Sequence, residues 1–87
     1  MSQDRSEIVE SIRAVVAQHA HLTTDAAALG SSDSLYTAGM TSHASVNVML
    51  GVEDVFDIEF PEEMLTKDTF ESLDAIAQAV SQLQDEQ

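Results

Sequence analysis

The sequence predicts an all-α protein: a small four-helix bundle of three main helices and one short one, with a long loop between the first and second helices. Three observations carry that prediction. Apolar residues recur at spacings of three and four in three separate segments, with no strand-like alternation anywhere. The only proline, Pro61, falls between the second and third of those segments and interrupts helix there. A chain of 87 residues has the length of one domain, 1–87, with one modest core.

The first helix is read from about Ser6 to His19. Ile8, Val9, Ile12, Val15 and Val16 form its apolar stripe, Ser6 is the candidate cap, and Glu7 and Glu10 lie near its positive end. From His21 to Met40 the spacing breaks down and Thr, Asp, Ser and Gly cluster, although Leu22, Ala26, Leu29, Leu35 and Tyr36 can anchor this connection to a core. A structureless loop of that length is unusual in a small domain and points to function.

The second helix is read with Thr41 as its cap, continuing through Val46, Val48, Met49, Leu50, Val52, Val55 and Phe56, with Asn47, Glu53 and Asp54 toward solvent. Its apolar positions exceed a narrow stripe, which predicts that it is the central helix. Glu62 to Leu65 form the short helix, and Leu73, Ile76, Ala77, Val80 and Leu83 mark the last one. Residues 1–5 and 84–87 are expected to fray.

Charge and composition narrow the function classes. Sixteen Asp and Glu against Arg5, Arg13 and Lys67 give a formal net charge of −13, which opposes binding to a nucleic-acid backbone and favours partners with basic surfaces. With 44% hydrophobic residues at regular spacing, disorder is the weaker reading. The absence of cysteine excludes disulfides, zinc-thiolate sites and a thiol nucleophile. The amino terminus lacks the basic and apolar regions of a secretory signal and no apolar run reaches membrane-spanning length, so a cytoplasmic monomer is expected.

The most informative stretch is Gly39-Met40-Thr41-Ser42-His43-Ala44-Ser45-Val46, followed by an acidic amphipathic run ending in Phe56-Asp57-Ile58-Glu59-Phe60-Pro61. It places a serine hydroxyl in the first turn of an exposed helix, within reach of another protein, with a charged helix body behind it. A serine so placed suits covalent modification. Taken alone, Ser42 reads as an ordinary first-turn serine.

These residues resemble the acyl carrier and peptidyl carrier proteins, from the first helix to Leu83 and most specifically from Ala38 to Glu62. Members of that family attach phosphopantetheine, through a transferase, to a serine that lies fourteen positions before a Phe-Asp pair. Ser42 stands fourteen positions before Phe56, whereas Ser34 of the literal Asp33-Ser34-Leu35 stands twenty-two before it and begins no helix. The resemblance therefore assigns the arm to Ser42 and makes Asp33-Ser34-Leu35 a decoy.

Two positions depart from the common pattern, Thr41 where Asp is usual and His43 where Leu is usual. The run through Met49-Leu50-Gly51-Val52-Glu53 looks most like the aminoacyl carrier proteins, which are loaded by ligases resembling class II tRNA synthetases. The resemblance implies a non-catalytic chain that holds an aminoacyl or acyl group as a thioester on its arm. Its implied partners are a phosphopantetheinyl transferase, an amino acid:carrier protein ligase and a downstream acceptor enzyme. Thr41, His43, Val46, Asn47, Glu53 and Asp54 are the implied partner-binding residues, with Glu53 and Asp54 steering association.

Other chemistries fit less well. His43 adjoins Ser42 on the helix and diverges from it, so it does not serve as the base of a hydrolase, and the glycine of a nucleophile elbow is absent at position 44. His19, His21 and His43 read as surface histidines, and the acids Glu53 to Glu63 lack the glycine-centred loop of a calcium site. Met40, Met49 and Met64 read as core filler, and Gly51 as a place where a neighbouring helix or a ligase comes close. The rival readings are a fatty-acyl or polyketide carrier and a plain acidic interaction module with no covalent arm.

Overall fold

The computed structural model describes residues 4–20, 22 and 25–86. Its element order is α1 (Arg5–His19), a 3-10 turn at Ala26–Ala28, α2 (Ser42–Phe56), a 3-10 turn at Glu62–Met64, and α3 (Leu73–Glu86). The described residues are all-helical with no strand, and the short helix expected after Pro61 is a single 3-10 turn.

The α1 stripe is buried as its spacing requires: Ile8, Val9, Ile12, Val15 and Val16 all face inward. Asp4, not Ser6, is the cap residue. Its extended backbone begins the helix and its carbonyl accepts from Ile8 N at 3.1 Å, while the Ser6 hydroxyl donates to Asp4 Oδ2 at 2.9 Å. The central position falls to α1, which packs against both α2 and α3. The apolar richness of α2 has another cause: only Ala44, Val48 and Val52 of that helix are buried, whereas Val46, Leu50 and Val55 are about half exposed.

The α1–α2 contact is close because Gly51 has no side chain. A Cβ there would lie 2.8 Å from Val15 Cγ1 and 3.0 Å from His19 Cδ2, so the approach expected at this glycine is made by α1 of the same chain.

From Ala26 onward the long connection is tied down rather than structureless. The Arg13 guanidinium donates through Nη1 to Ala26 O at 2.8 Å and Leu29 O at 2.6 Å, and its Nε donates to Glu10 at 3.2 Å. Farther along, Leu35 N donates to Glu71 O at 2.7 Å and Asp74 N to Ser31 O at 2.9 Å, which fastens the loop to the start of α3. Ala26, Leu29 and Leu35 are buried, and Leu22 and Tyr36 pack against the core, as expected of them.

Pro61 and the turn after it lead to α3, whose N-terminal turn is capped by Ser72: Ala75 N donates to its Oγ at 3.0 Å. Leu73, Ile76, Ala77, Val80 and Leu83 are buried, and the helix continues past the last of them to Glu86. Phe60 and Phe70 meet edge to face at 5.3 Å between ring centroids and close the core beneath the α2–α3 connection. Residues 1–3 and 87, where fraying is expected, and His21 lie outside the described residues.

Candidate functional site

The start of α2 is fixed from both sides. Gly39 adopts φ 114°, a conformation that L side chains rarely take, and this lets the chain turn so that Gly39 N reaches Tyr36 O and Met40 N reaches Leu35 O. Met40 is then buried as an anchor. Thr41 is the cap, as its sequence position predicts: its Oγ1 accepts from Ala44 N at 3.0 Å.

Ser42 is therefore the first residue of α2. It is exposed, and among the described residues its hydroxyl has no hydrogen-bond partner. The Ser45 hydroxyl donates to Ser42 O at 2.7 Å, which adds to the rigidity of this turn. No carboxylate lies in the first turn of α2, so the positive end of its macrodipole stays uncompensated and favours an anion attached there.

Ser42 opens onto a cleft of about 630 Å³. One wall is the first half of α2, with Thr41, Ser42, Ser45, Val46 and Met49. The other is the connector ahead of α3, with Leu65, Thr66, Lys67 and Phe70, and Tyr36 and Met40 complete the lining. The Lys67 ammonium rests over the Tyr36 ring, 5.0 Å from its centroid. Although the chain carries sixteen acidic residues, none of those described lines this cleft.

The outward face of α2 carries most of the expected partner-binding residues. His43, Val46, Asn47 and Asp54 follow one another at spacings of three, one and seven, with Leu50 between them at helical register. His43, Val46, Leu50 and Asp54 are exposed, and Asn47 is half-buried. Leu50 was not singled out from sequence; the surplus of apolar residues on α2 was its signal, read there as burial. Glu53 differs from expectation: it is half-buried, and its Oε2 accepts from Phe60 N at 2.9 Å.

The Asp33-Ser34-Leu35 motif has a structural job. Asp33 Oδ2 accepts from Gly30 N at 2.8 Å, Ser34 Oγ accepts from Thr37 N at 3.3 Å, and Leu35 is fully buried. His19 packs against Gly51, and among the described residues no group of three or more His, Cys, Asp or Glu could hold a metal ion. No described helix is long and apolar enough to cross a membrane.

A small helical fold with an exposed serine at the head of its second helix, a largely apolar cleft beside it that holds one lysine, and a polyanionic chain fits a carrier-type domain. Comparison with known proteins specifies which. The chain is 40% identical over 75 residues to the aminoacyl carrier protein of Agrobacterium fabrum, covering 86% of this chain and 90% of the relative. It is 33% identical over 81 residues to aminoacyl carrier protein 1 of Bradyrhizobium diazoefficiens, covering 92% of this chain and 86% of the relative. The chain belongs to the aminoacyl carrier proteins.

Among solved structures it is similar to the complex of an engineered Bradyrhizobium japonicum glycine:carrier protein ligase with carrier protein from Agrobacterium tumefaciens and ATP. The TM-score is 0.83 at 39% identity, covering 86% of this chain and 97% of that one. A structure of the Bradyrhizobium japonicum ligase complexed with glycylated carrier protein matches with a TM-score of 0.64 at 29% identity, covering 86% and 96%. No family model matches the chain.

Proposed function

We propose that this chain bears a phosphopantetheine arm on Ser42 and carries an aminoacyl group between enzymes without catalysing a reaction itself. The observation that carries the reading is the exposed, unengaged Ser42 hydroxyl at the head of α2, opening onto a cleft free of acidic residues. The register of Ser42 with Phe56 and the relatives seen with a glycine:carrier protein ligase support it.

In loading, Ser42 Oγ attacks the phosphorus next to the pantetheine of coenzyme A. The diphosphate P–O bond breaks, the adenosine bisphosphate half leaves, and the hydroxyl proton passes to a base of the transferase, which also supplies magnesium. The arm, when bound, supplies the thiol that this cysteine-free chain lacks. The residues fit such a group: the hydroxyl is accessible, the first turn of α2 holds no carboxylate to repel a phosphodiester, and a cleft of about 630 Å³ adjoins it. A thiol arm stays reduced in the cytoplasm, where we place this exchange.

The half-exposed Val46 and Leu50, with His43 and Asn47 beside them, offer the ligase an apolar strip on α2, and Asp54 offers a charge for its basic surface. A downstream acceptor enzyme uses the same face.

The test is incubation of the unmodified protein with coenzyme A, magnesium and a broad-specificity transferase, followed by intact mass and fragmentation. A gain of one phosphopantetheine on Ser42 is expected. Ser42→Ala should abolish the gain with circular dichroism unchanged, while Ser34→Ala should leave it intact; a gain that follows Ser34 would reassign the arm. Charging the loaded protein with a series of amino acids and fatty acids, using a glycine:carrier protein ligase and an acyl-loading enzyme, then separates aminoacyl from acyl cargo. A chain that takes up no arm would be the plain interaction module.

A further inference from the structure

Among the described residues, Lys67 is the one cation lining the cleft that Ser42 faces. Of the other two cations in the chain, Arg13 is engaged with the Ala26 and Leu29 carbonyls and Glu10, and Arg5 lies at the start of α1. Lys67 has no carboxylate partner among the described residues; its ammonium rests instead on the face of Tyr36, a contact worth about 0.5–1 kcal/mol at an exposed site. It is thus held at the cleft by a weak contact, on a flexible stem, in a chain with sixteen acids available to pair with it.

We propose that Lys67 is a positioning residue for the arm: once Ser42 carries its phosphodiester, the ammonium leaves the Tyr36 face and pairs with the phosphate across the cleft. This rests on the assignment of the arm to Ser42. Phosphate offers the ammonium charge-assisted hydrogen bonds that a ring face does not, and the cation–π contact it would give up is weak at an exposed site. Its effect is to draw the root of the arm toward Leu65 and Phe70 and away from the acidic surface. Lys67 has no part in attaching the arm, which the transferase does.

Tyr36 reports the exchange directly, because the chain has one tyrosine and no tryptophan. The experiment prepares wild-type protein, Lys67→Gln and Lys67→Arg with and without the arm, verifying each by intact mass. It then records the Tyr36 ring resonances, tyrosine emission and the phosphorus NMR line. In the wild type, attaching the arm should shift the Tyr36 signals, and the phosphorus line of the armed protein should be broader than that of armed Lys67→Gln. Lys67→Gln should lose the Tyr36 shift, and armed Lys67→Arg should keep the broad line. Salt of about 1 M, where the Debye length is about 3 Å, should narrow the wild-type line toward that of Lys67→Gln.

Armed Lys67→Gln with the phosphorus line and Tyr36 shift of the wild type overturns the proposal and leaves the arm assignment standing. Failure of every protein to gain the arm's mass overturns both. Circular dichroism of the unarmed variants, expected to match the wild type because Lys67 is exposed, separates a lost contact from a lost fold.

Discussion

At Gly51 the absence of a side chain outweighs helix propensity. Alanine in a helix interior is favoured over glycine by about 1 kcal/mol, yet here its methyl would meet Val15 Cγ1 at 2.8 Å. Val15 is buried and β-branched, so it has little freedom to turn away. Overpacking of this kind costs about 1–3 kcal/mol. Gly51→Ala should therefore lower the melting temperature, by about 4–8 °C for each kcal/mol lost in a domain of this size; a rise on thermal denaturation would mean that α1 and α2 can separate without loss. The residue scale is also where sequence spoke most clearly. Thr41 and Ser42 were legible as cap and first helical residue because capping is local chemistry, confined to four consecutive positions. The contact of Lys67 with Tyr36 was not, because Tyr36 lies thirty-one positions away and no periodicity links them.

Two elements depend on single side chains that bridge distant backbone. Arg13 holds both the Ala26 and Leu29 carbonyls, and hydrogen bonds from a charged donor are worth about 1.5–3 kcal/mol. Arg13→Met should cost stability of about that size and speed amide exchange at Ala28 and Leu29, whose N–H groups close the turn there. Unchanged exchange would show that Leu22, Ala26 and Leu29 anchor the loop unaided. Glu53 does the corresponding work at the far end of α2, accepting from the N–H of buried Phe60. Glu53→Ala leaves that N–H unpaired at a cost of about 1–3 kcal/mol, whereas Glu53→Gln keeps an acceptor and should melt near the wild type. Asp54→Lys, by contrast, should leave the melt alone and slow association with a basic ligase; an unaltered rate would remove Asp54 from docking. Helix positions were legible in the sequence from apolar spacing and from Pro61. The ordering of the 26–35 stretch was not, because Arg13, Glu71 and Asp74 tie it from far along the chain. The place of α2 differs for another reason: apolar residues on an exposed helix face look, in sequence, like core.

Over the whole molecule, a charge of −13 with Arg13 folded inward leaves a surface that repels itself. Raising ionic strength from about 0.01 M to 0.1 M shortens the Debye length from about 30 Å to about 10 Å, so the melting temperature should rise with sodium chloride while association with a basic partner slows. A melt that does not respond would place the repulsion in the unfolded chain as well. The two walls of the cleft differ in kind. One is a helix whose inner residues, Ala44 and Val48, belong to the core; the other is a short connector pinned at its ends by Phe60 and Phe70, with Leu65, Thr66 and Lys67 exposed between them. Substitutions at those three positions leave the core untouched. Across a lineage, the lining beside Ser42 can therefore drift on the connector side, one position at a time, without disturbing the packing of the three helices, whereas the α2 side is tied to the core behind it.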